Sequence, residues 1–533
     1  MKSLRLLLLF SLLWGHGFMG LAQPGFDLDI QEVVWPQAPA LHSFACGVQD
    51  GKWVFIGGRN NGLHGFLAPL AFPNFGRNTS VIVFDPLSGQ RWDQPISVLP
   101  DSLREPLMTS NMQFHQTGST LYIVGGYGWN GAQSTFITYP TLTAVDLDGL
   151  VQAVIAQQSI LPFFRQVRDS GFAVCGSHLA KMDSVYHLVF GHRFDGIYDR
   201  QDTTGFHVQR YTYADRRFEI QDDGLSITVQ WLPEWVDSLH FRRRDYNLVP
   251  QIFPDLSRGY TAFSGVFQKG VNLPYLYPID FRPDTVQILL SVDQQLANYH
   301  SAVLPVYDSV SNRMSTIFFG GEAQYHYDST ATLRMDSLVP FVSTVSIMVR
   351  DAVGNLQEFV ADTSMPGLLG SNAQFFPAEG AWLDEKGIIR LDKLQGRTMV
   401  GHMMGGIESP MPHISDTDPA MSWASARVFE VYLDPLTTGL SPEPIRLKIP
   451  ADITVSSNPF SSQTVVNIQS STTEVITLDL LDQLGRPLWR LYEGQVEHIK
   501  EIPMGEDLPA GLYYLKLRCG DYGKSRRLVK LGR

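Results

Sequence analysis

Short apolar runs that end in a pair of glycines, or in a variant of that pair, recur along the first 435 residues. Such runs of four to six apolar residues, bounded by turn-forming residues, are typical of buried β-strands. The copies lie 56 to 85 residues apart, which predicts six repeated units. The runs end at Gly57-Gly58, Gly125-Gly126, Gly191 (a weaker copy), Ser264-Gly265 (a degenerate copy), Gly320-Gly321 and Gly405-Gly406.

Each unit contains more than one strand. A second apolar run, predicted as the first strand of its unit, precedes every copy and lies at Gly171 to Val174 in the third unit. Several copies are followed by a third run and an aromatic-bearing fourth, best seen between Ser80 and Trp92. Four strands in each of six units predict a β-propeller, in which four-stranded blades cover one another's faces in a ring. The segment Phe26 to Trp35 is expected to supply an outer strand that closes the ring with the last unit. A series of two-sheet sandwiches is the alternative.

The double glycines and the later aromatic and tryptophan positions resemble kelch repeats. The resemblance covers residues 36–435, within a propeller that we place at residues 23–435. It implies an all-β fold class: a kelch-like β-propeller of six blades, followed by a small C-terminal Ig-like β-sandwich.

Both ends of the chain carry signs of export. Residues 1–22 are typical of a secretory signal peptide, with Lys2 and Arg5 before the apolar run Leu6 to Trp14 and a cleavage site after Ala22. At the other end, a Pro-, Ser- and Thr-rich stretch predicts a linker at residues 436–454. Alternating runs follow it and predict a small antiparallel sandwich over residues 455–533.

This C-terminal segment resembles the type A C-terminal sorting domain of the Bacteroidota type IX secretion system. The resemblance implies that the type IX secretion machinery is a partner and that the protein crosses the periplasm and outer membrane, to be secreted or held at the cell surface. A carbohydrate-binding or adhesive sandwich is the alternative. The matching residues include Asn458, Pro459, Gly485, Gly511, Tyr513 and Lys530.

Composition narrows the classes of function. The chain has 533 residues, 44 % of them hydrophobic, and a formal net charge of −12. An acidic surface argues against nucleic-acid binding. Beyond the signal segment, no apolar stretch is long enough to predict an integral membrane segment in the mature chain. Cys46 and Cys175 are predicted on first strands of non-adjacent units, and therefore as buried free thiols, and Cys519 belongs to the sorting domain.

The long connections are predicted on one face of the propeller, where the first strand of each unit begins and the second ends. Connections longer than about 12 residues in a compact fold tend to be functional. The predicted connections are Arg59 to Asn78, Tyr127 to Thr138, Arg193 to Phe206, Glu322 to Ser343 and Ile407 to Ala424. On the opposite face, only the segment Ala378 to Arg397 is long.

Alignment of the first strands predicts which side chains surround the mouth of the central channel on that face. Several arginines would meet there, and guanidinium groups suit a carboxylate or another planar anion. As alternatives, the Arg168-Asp169 and Arg244-Asp245 pairs bridge neighbouring units as structural ion pairs, and His300 is a structural residue. The predicted ligand-binding residues are Arg59, Asn111, Arg168, Asp169, His192, Arg193, Arg244, Asp245, His300 and Glu322.

No motif for common enzyme chemistry is present. The sequence lacks a phosphate-binding glycine loop, an HExxH zinc helix, a CxxC pair and a GxSxG elbow. Kelch-like propellers include the copper enzyme galactose oxidase, but its Tyr–Cys cofactor cannot be assigned to residues of this chain. Asp416 and Asp418 alone are too few to predict a calcium site. We therefore expect no cofactor and no metal.

Three functions fit these features. The first is an exported or cell-surface binding module for a glycan or protein ligand. The second is an enzyme acting on an anionic sugar, similar to the kelch-like sialic acid epimerases in repeat architecture, with His300 and Glu322, or Asp245 and Arg244, as its acid/base pair. The third is a structural surface-layer protein. Long aromatic-bearing loops, without an evident acid/base spacing, favour the first.

Overall fold

The computed structural model describes residues 24–66, 71–199, 207–328, 332–414, 421–436, 451–456, 458–470, 472–482, 486–520 and 522–532. Strand accounts for 54 % of the structure, so the protein is all-β, as the sequence predicts. No helix in these ranges is long and apolar enough to cross a membrane. The predicted signal peptide lies outside the described residues. The helices of the described residues are α1 (Asp101–Leu107), α2 (Leu147–Ile155) and 3-10 turns at Ile96–Val98, Leu161–Phe163, Ser170–Phe172 and Leu391–Lys393.

Between residues 26 and 435, the described residues form six main sheets, each with four antiparallel main strands, and three separate two-stranded hairpins. The first strand in the chain, β1 (Phe26–Val33), belongs to the sixth sheet. Sheet 1 contains β2 (Ala45–Gln49), β3 (Lys52–Ile56), β4 (Ser80–Asp85) and β5 (Gln90–Pro95). Sheet 2 contains β6 (Gln113–Thr117) and β7 (Thr120–Val124), then a hairpin of β8 (Tyr127–Asn130) and β9 (Thr135–Thr138), then β10 (Thr141–Asp146) and β11 (Phe164–Arg168).

Sheets 3 and 4 repeat this order. Sheet 3 contains β12 (His178–Met182) and β13 (Val185–Val189), a hairpin of β14 (His192–Gly196) and β15 (His207–Tyr211), then β16 (Ala214–Asp222), β17 (Ile227–Trp231) and the short β18 (Trp235–Val236). Sheet 4 contains β19 (Asn247–Ile252), β20 (Arg258–Phe263), β21 (Ile279–Arg282) and β22 (Thr285–Ile288).

Sheets 5 and 6 complete the set. Sheet 5 contains β23 (Ala302–Asp308) and β24 (Arg313–Glu322), a hairpin of β25 (Tyr325–Tyr327) and β26 (Leu333–Met335), then β27 (Phe341–Arg350) and β28 (Leu356–Ser364). Sheet 6 contains β29 (Leu368–Pro377), β31 (Thr398–Ser409), the short β32 (Trp423–Ala424), β33 (Val428–Pro435) and β1. Between β29 and β31, β30 (Ile389–Arg390) pairs with β23 of sheet 5.

The apolar pattern follows from the position of each strand in its sheet. Second strands such as β3 are paired on both sides and covered on both faces, so Trp53 to Ile56 are all buried. Outer strands such as β5 are paired on one side only and stay partly exposed. A continuous apolar run therefore marks the second strand, and this is why that strand gives the strongest repeat signal.

Each second strand is associated with two consecutive residues of left-handed conformation, which follow the strand directly in sheets 1 to 4 and lie within β24 and β31 in sheets 5 and 6. The first residue has a φ of 54° to 73° and the second a φ of 80° to 98°. At Gly58 a Cβ atom would lie 2.5 Å from the backbone oxygen of His42, which explains the glycine there. The weaker and degenerate copies of the sequence repeat adopt the same conformation. The pairs are 57/58, 125/126, 190/191, 264/265, 320/321 and 405/406.

Backbone hydrogen bonds join each sheet to the next and return from sheet 6 to sheet 1. One series starts at the second residue of the left-handed pairs: Gly58 N to Thr109 O (2.8 Å), Gly126 N to Val174 O (2.9 Å), Gly191 N to Arg243 O (2.8 Å), Gly265 N to Asn298 O (3.1 Å) and Gly406 N to Leu41 O (2.9 Å). A second series runs before the first strands: Asn111 N to Ser43 O (3.1 Å), Gly176 N to Asn111 O (3.2 Å), Asp245 N to Gly176 O (2.9 Å), His300 N to Asp245 O (3.0 Å) and Asn372 N to His300 O (2.8 Å).

The strand β1 joins the N-terminal end of this region to its last sheet. It pairs with β33 along its whole length, from Phe26 with Pro435 to Val33 with Val428. The outer strand expected from Phe26 to Trp35 is therefore present, two residues shorter than expected.

The two edges of the sheets carry different connections. Hairpins β8–β9, β14–β15 and β25–β26 rise from the edge where second strands end, which we call the cavity face. On the opposite face, the long segment Ala378 to Arg397 leaves sheet 6 and passes under three other sheets. It pairs with sheet 5 through β30, with sheet 4 through Asp384 and Arg258 (2.8 Å), and with sheet 3 through Lys386 Nζ and Lys181 O (3.2 Å).

One predicted inner strand is wrong. The sequence places the first strand of the third unit at Gly171 to Val174, but this run contains a 3-10 turn, and the inner strand is β12. Phe172 and Val174 are buried between sheets 2 and 3, so the run is apolar because it packs there and not because it pairs. Cys175 therefore lies just before a first strand, whereas Cys46 lies within one, and neither forms a disulfide.

The C-terminal residues form two antiparallel sheets around a shared core. One sheet has three strands and the other four. The predicted linker ends too late, because residues 451–454 lie in the first of these strands, where Ala451 and Ile453 face the core; residues 437–450 lie outside the described residues. The strands are β34 (Ala451–Val455), β35 (Thr464–Ser470), β36 (Ile476–Leu481), β37 (Pro487–Gly494), β38 (Ile499–Met504), β39 (Gly511–Cys519) and β40 (Tyr522–Lys530).

The residues that resemble a sorting motif hold this C-terminal unit together. Asn458 Oδ1 accepts a hydrogen bond from Val529 N (2.8 Å), which joins the two ends of the unit. Lys530 Nζ donates to the backbone oxygens of Ser462 (2.6 Å) and Gly505 (2.8 Å). The Tyr513 hydroxyl donates to Pro509 O (3.0 Å), Gly511 begins β39, Pro459 follows Asn458, and Gly485 lies outside the described residues.

Candidate functional site

A cavity of about 940 Å³ opens on the cavity face, and all six sheets contribute to its wall. The residues come from the segments before the first strands and from the connections after the second strands. Because these two kinds of segment meet at the same edge of every sheet, the repeat brings six sets of polar side chains together. One representative from each sheet in order is Arg59, Asn111, Tyr211, Arg244, Glu322 and Asn372.

Five of the ten predicted ligand-binding residues line this cavity, and five do not. The lining includes Arg59, Asn111, Arg244, Asp245 and Glu322. Arg168, Asp169, His192, Arg193 and His300 lie elsewhere.

Arg168 and Asp169 are misplaced because of the error in the third unit. Arg168 is the last residue of the outer strand β11, where it is exposed, and Asp169 follows it. Asp169 accepts hydrogen bonds from Gly171 N (2.7 Å) and from Trp231 Nε1 (3.1 Å), so it stabilises a turn between sheets 2 and 3.

The other three residues are near the cavity face without lining the cavity. His192 is buried in β14, with Nδ1 2.7 Å from Gln209 Nε2. Arg193 points outward and pairs with Asp195 (2.6 Å). His300 lies against His178 with ring centroids 5.0 Å apart, and burial lowers the pKa of His300 to about 3, so its ring is neutral.

Three consecutive arginines on the segment before β19 divide between the core and the cavity. Arg243 is fully buried, and its Nη1 donates to the backbone oxygens of Ser264 and Tyr277, both at 2.8 Å. Arg242 and Arg244, which flank it in the sequence, both line the cavity. A tight turn, in which Arg243 N donates to Phe241 O (2.9 Å), directs Arg243 inward and leaves Arg242 and Arg244 on the cavity side.

Tyr211, at the end of β15, organises these two guanidinium groups. The Arg242 guanidinium carbon lies 4.0 Å from the centroid of the Tyr211 ring. Arg244 Nη1 donates to the Tyr211 hydroxyl (2.9 Å), and Arg244 Nε donates to Asp245 Oδ2 (3.0 Å). The ring face and the hydroxyl of one tyrosine thus hold two like charges side by side.

The charges of this cluster are only partly compensated. Burial alone would lower the pKa of Arg244, but Tyr211 and Asp245 raise it above the usual arginine value, so the group stays cationic. Within the described residues, Arg244 Nη2 and the Nε and Nη2 atoms of Arg242 have no hydrogen-bond partner. Burial and these two arginines keep the pKa of the adjacent His192 well below its usual range. Asp245 therefore pairs with Arg244 alone, Arg242 has no carboxylate partner among the described residues, and both guanidinium groups retain free N–H donors.

Arg59 has a different role from the other two cavity arginines. Its guanidinium donates to Asn61 Oδ1 (2.9 Å) and to the backbone oxygens of Pro73 (2.7 Å) and Phe75 (3.2 Å). Burial lowers its pKa to about 10, which still leaves it charged at neutral pH. Its donors hold the connection between β3 and β4 in shape, so Arg59 is a structural residue of the wall.

Glu322 supplies a carboxyl group of unusual acidity at the end of β24. Its Oε1 accepts a hydrogen bond from the Ser371 hydroxyl (2.8 Å), whereas Oε2 has no partner among the described residues. Burial raises the pKa of Glu322 to about 7, Ser371 opposes this rise, and the Asp245 carboxylate adds to it. Burial and the neighbouring Glu322 also raise the pKa of Tyr299 far above its usual range.

An aromatic cluster forms the wall beside Arg59. The His64 ring stacks on Phe72 with centroids 4.5 Å apart, and Phe72 meets the edge of Tyr127 at 5.1 Å. Tyr198 contacts His64 at 5.1 Å. Burial lowers the pKa of His64 to about 4, so this wall is uncharged at neutral pH.

The described residues contain no group of three or more His, Cys, Asp and Glu side chains that could hold a metal ion. Cys175 is buried, and burial raises the pKa of its thiol to about 12, so it is a neutral thiol. The weak calcium candidate at Asp416 and Asp418 lies outside the described residues.

Arg242, Tyr211 and His64 also line the cavity and are not among the residues predicted from the sequence. The triple arginine at 242–244 was a usable signal, because it extends the segment before a first strand in which Arg244 was already predicted to line the cavity. The sequence around Tyr211 carried no such signal. Tyr211 lies at the cavity only because β15 pairs with β14, and that pairing is not visible in the sequence.

Comparison with known proteins adds little to this description. No family model matches the chain, and no curated protein matches its sequence. Among solved structures, one titled "Structure of YjhT" matches with 8 % identity and a TM-score of 0.40, over 75 % of this chain and 99 % of that one. A fungal alcohol oxidase of the AA5 family, in complex with copper, matches with 8 % identity and a TM-score of 0.34, over 95 % of this chain and all of that one. At these scores neither likeness enters the argument about function.

Proposed function

We propose that residues 24–436 form a six-bladed, kelch-like β-propeller. Six four-stranded sheets, left-handed residue pairs at the end of every second strand, and hydrogen bonds that return from sheet 6 to sheet 1 support this arrangement. Pairing of β1 with β33 closes the ring by joining strands from both ends of the region.

The propeller binds a small acidic ligand in the cavity. The observation that carries this proposal is the pair of guanidinium groups around Tyr211, of which only Arg244 pairs with a carboxylate and both keep free N–H donors. Partly desolvated guanidinium groups bind carboxylates strongly, because the fork of N–H donors matches the two oxygens. An anion bound here would complete the charge balance of the cluster.

The ligand class follows from the rest of the wall. A volume of about 940 Å³ suits a small molecule or the end of a glycan. Asn111, Asn372 and Ser110 offer hydrogen-bonding groups for hydroxyls, and the His64–Phe72 wall offers a flat face for a ring. A carboxylate-bearing sugar, free or at the end of a glycan, meets all three requirements.

A thermal-shift screen tests this function. The protein is heated with hexuronic acids and with the matching neutral hexoses, and we expect stabilisation by the acids alone. A ligand at about 100 times its dissociation constant adds roughly 2.7 kcal/mol to the free energy of unfolding. Arg244→Gln should reduce the stabilisation to about 1.4 kcal/mol or less. Arg193→Gln is the matched control, because Arg193 lies on the same face and also pairs with an aspartate. Equal shifts with acids and neutral sugars would contradict the proposal.

A second candidate is an enzyme acting on the same class of ligand, and Glu322 is the observation that favours it. A carboxyl with a pKa of about 7 can both accept and donate a proton near neutral pH. Its free Oε2 is in the same cavity as the arginines. Proton NMR of a bound acidic sugar would show turnover with the wild type and none with Glu322→Gln, while Glu322→Gln would still bind.

The C-terminal unit directs export by the type IX secretion machinery and delivers the protein to the outside or the cell surface. The support is the resemblance of its sequence, together with the structural roles of Asn458, Tyr513 and Lys530 within the unit. In a host that carries this secretion system, deletion of residues 511–533 should leave the protein in the periplasm. Arrival of the deleted protein at the surface would contradict export through this unit.

A further inference from the structure

The C-terminal unit packs against sheets 4 and 5 through a shared apolar core. Leu296, before β23, and Tyr325 and Leu333, in the β25–β26 hairpin, are buried in one cluster with Ile453 and Leu478 of the C-terminal unit. These side chains belong to no other core of the six sheets, so they are covered only because the unit is there.

Polar contacts fix the position of the unit on this surface. Lys524 Nζ lies 2.9 Å from Asp452 within the unit and 3.1 Å from Asp293 of the segment before β23. The Lys524 side chain is only 6 % exposed. The Tyr325 hydroxyl donates to Gly523 O (2.7 Å), one residue from that lysine. A buried lysine between two carboxylates loses much of its stabilisation when either one moves away.

The surface that receives the unit is itself held in place. Glu358, on β28, accepts hydrogen bonds from Gln295 N (2.7 Å) and Leu296 N (3.1 Å). These bonds attach the segment that carries Asp293 and Leu296 to sheet 5. The receiving surface is therefore a fixed part of the sheets.

The same contacts lie directly behind the cavity. The β25–β26 hairpin falls between Glu322 and Phe341, which both line the cavity, and Ser337 to Val339 at its end line the cavity as well. The C-terminal unit contacts the hairpin through Tyr325, Leu333 and Met335.

We propose that the C-terminal unit is a non-covalently retained subunit: when the chain is cut between residues 437 and 450, residues 451–533 stay bound to the sheets and support the β25–β26 hairpin. Separation of residues 451–533 from the sheets would expose the apolar side chains on both surfaces. It would also break the ion pair between Asp293 and Lys524. The inference concerns a protein–protein surface within this chain, and it does not depend on what the cavity binds.

The experiment uses the full chain with a site-specific protease sequence inserted between residues 437 and 450. After complete cleavage, verified by denaturing electrophoresis, the protein is passed through a size-exclusion column under native conditions. We expect both fragments to elute together at the volume of the uncut protein in a 1:1 ratio. Elution of the fragments in separate peaks would overturn the proposal.

Two substitutions test whether the named contacts hold the fragments together. Lys524→Met removes the cation that Asp293 and Asp452 share. Among the described residues, this leaves Asp293 with only the more distant Arg526 Nη1 (3.9 Å), and it should raise the dissociation constant of the cut fragments by about 10- to 100-fold. Tyr325→Phe removes one hydrogen bond without changing the packing, and should raise it by about 5- to 10-fold. Arg518→Met, on the exposed side of β39, is the control and should leave the constant unchanged. Equal retention of the Lys524→Met and control fragments would overturn the assignment to these contacts.

Hydrogen exchange gives a readout at the hairpin. In the cut wild type, amides of residues 325–327 and 333–335 should exchange as slowly as in the uncut chain, and in cut Lys524→Met they should exchange at least about tenfold faster. Fast exchange in the cut wild type would contradict support of the hairpin by the retained unit.

Discussion

Two arginine–aspartate pairs inside the sheets have the same chemistry and different surroundings. Arg350 pairs with Asp280 at 2.7 Å where β27 of sheet 5 meets β21 of sheet 4, and both side chains are 4 % exposed. Arg244 pairs with Asp245 at 3.0 Å in the cavity, where the side chains are 18 % and 20 % exposed. The first pair is enclosed by protein, and Thr261 adds a hydrogen bond to the same Asp280 oxygen (2.6 Å).

The difference in exposure between the two pairs distinguishes buried charges that stabilise the fold from those that a ligand can reach. The two side chains of a fully enclosed ion pair cannot exchange partners. Removing one of them therefore leaves the charge of the other unpaired in a low-dielectric interior. A pair at the edge of a cavity reaches water, and Arg244 keeps a free N–H group there. We therefore expect the enclosed pair to govern stability and the cavity pair to govern binding, and four substitutions test this distinction.

The largest effect is expected for the enclosed pair. Arg350→Met leaves the Asp280 carboxylate buried without its cation and should lower the free energy of unfolding by about 3–5 kcal/mol. Chemical denaturation measures this change. The double variant Arg350→Met/Asp280→Leu should recover most of the loss, because it removes the unpaired charge. A loss below about 1 kcal/mol in the free energy of unfolding of the single variant would contradict the claim that the enclosed pair governs stability.

The next effect concerns the cavity pair and appears in binding. Arg244→Gln should weaken the binding of an acidic ligand by about 10- to 100-fold, since a hydrogen bond to a charged group contributes about 1.5–3 kcal/mol. Its unfolding free energy should change less than that of Arg350→Met, because water can solvate Asp245. Titration calorimetry and denaturation on the same preparation separate the two effects. A stability loss as large as that of Arg350→Met would show that both pairs are structural.

A smaller effect, with a definite pH dependence, is expected at Glu322. Its pKa rises from 4.5 when unfolded to about 7 when folded, so the folded state binds the extra proton between these values. The free energy of unfolding should therefore fall as the pH rises through this range, because Glu322 becomes ionised in a buried position. The full loss should be reached above about pH 7. Glu322→Gln removes this loss: we expect a gain of up to about 3 kcal/mol in the free energy of unfolding at pH 8 and none near pH 4.5, measured by denaturation at both values. A gain that is equal at both pH values would contradict the shifted pKa.

The smallest effect is expected for the exposed pair of Arg193 and Asp195. Their side chains are 48 % and 29 % exposed, and exposed pairs contribute about 0.2–1 kcal/mol. Arg193→Gln should therefore change the unfolding free energy by less than about 1 kcal/mol and leave ligand binding unchanged. A clear loss of binding would extend the site to the outside of the β14–β15 hairpin.

The sequence predicts the repeat well because the repeat has a local cause. Second strands are buried on both faces and end in a left-handed pair, so they carry an apolar run and often two glycines. The repeats that end at Gly57 and Gly125 could therefore be recognised from the sequence. Phe190 and Ser264 adopt the same conformation without glycine, which explains why the third and fourth units gave weaker signals.

The cavity was only partly predictable, because its residues come from segments whose position depends on pairing. Arg244, Asp245 and Glu322 lie next to strand ends, so alignment of the repeats found them. Arg168 and Asp169 were wrong because two apolar runs, at Gly171 and at His178, both fit an inner strand, and only the pairing of His178–Met182 with β13 decides between them. The pairing of β14 with β15, which brings Tyr211 to the arginines, leaves no mark in the periodicity of the sequence.

The most direct test of the central claim is a calorimetric titration of the full chain with a hexuronic acid and with the corresponding neutral hexose. If two incompletely paired arginines make the cavity an anion site, the acid binds at one site per chain, the neutral sugar binds at least about tenfold more weakly, and Arg244→Gln abolishes the difference. Equal affinity for the two sugars, or an acid affinity unchanged in Arg244→Gln, would contradict the account.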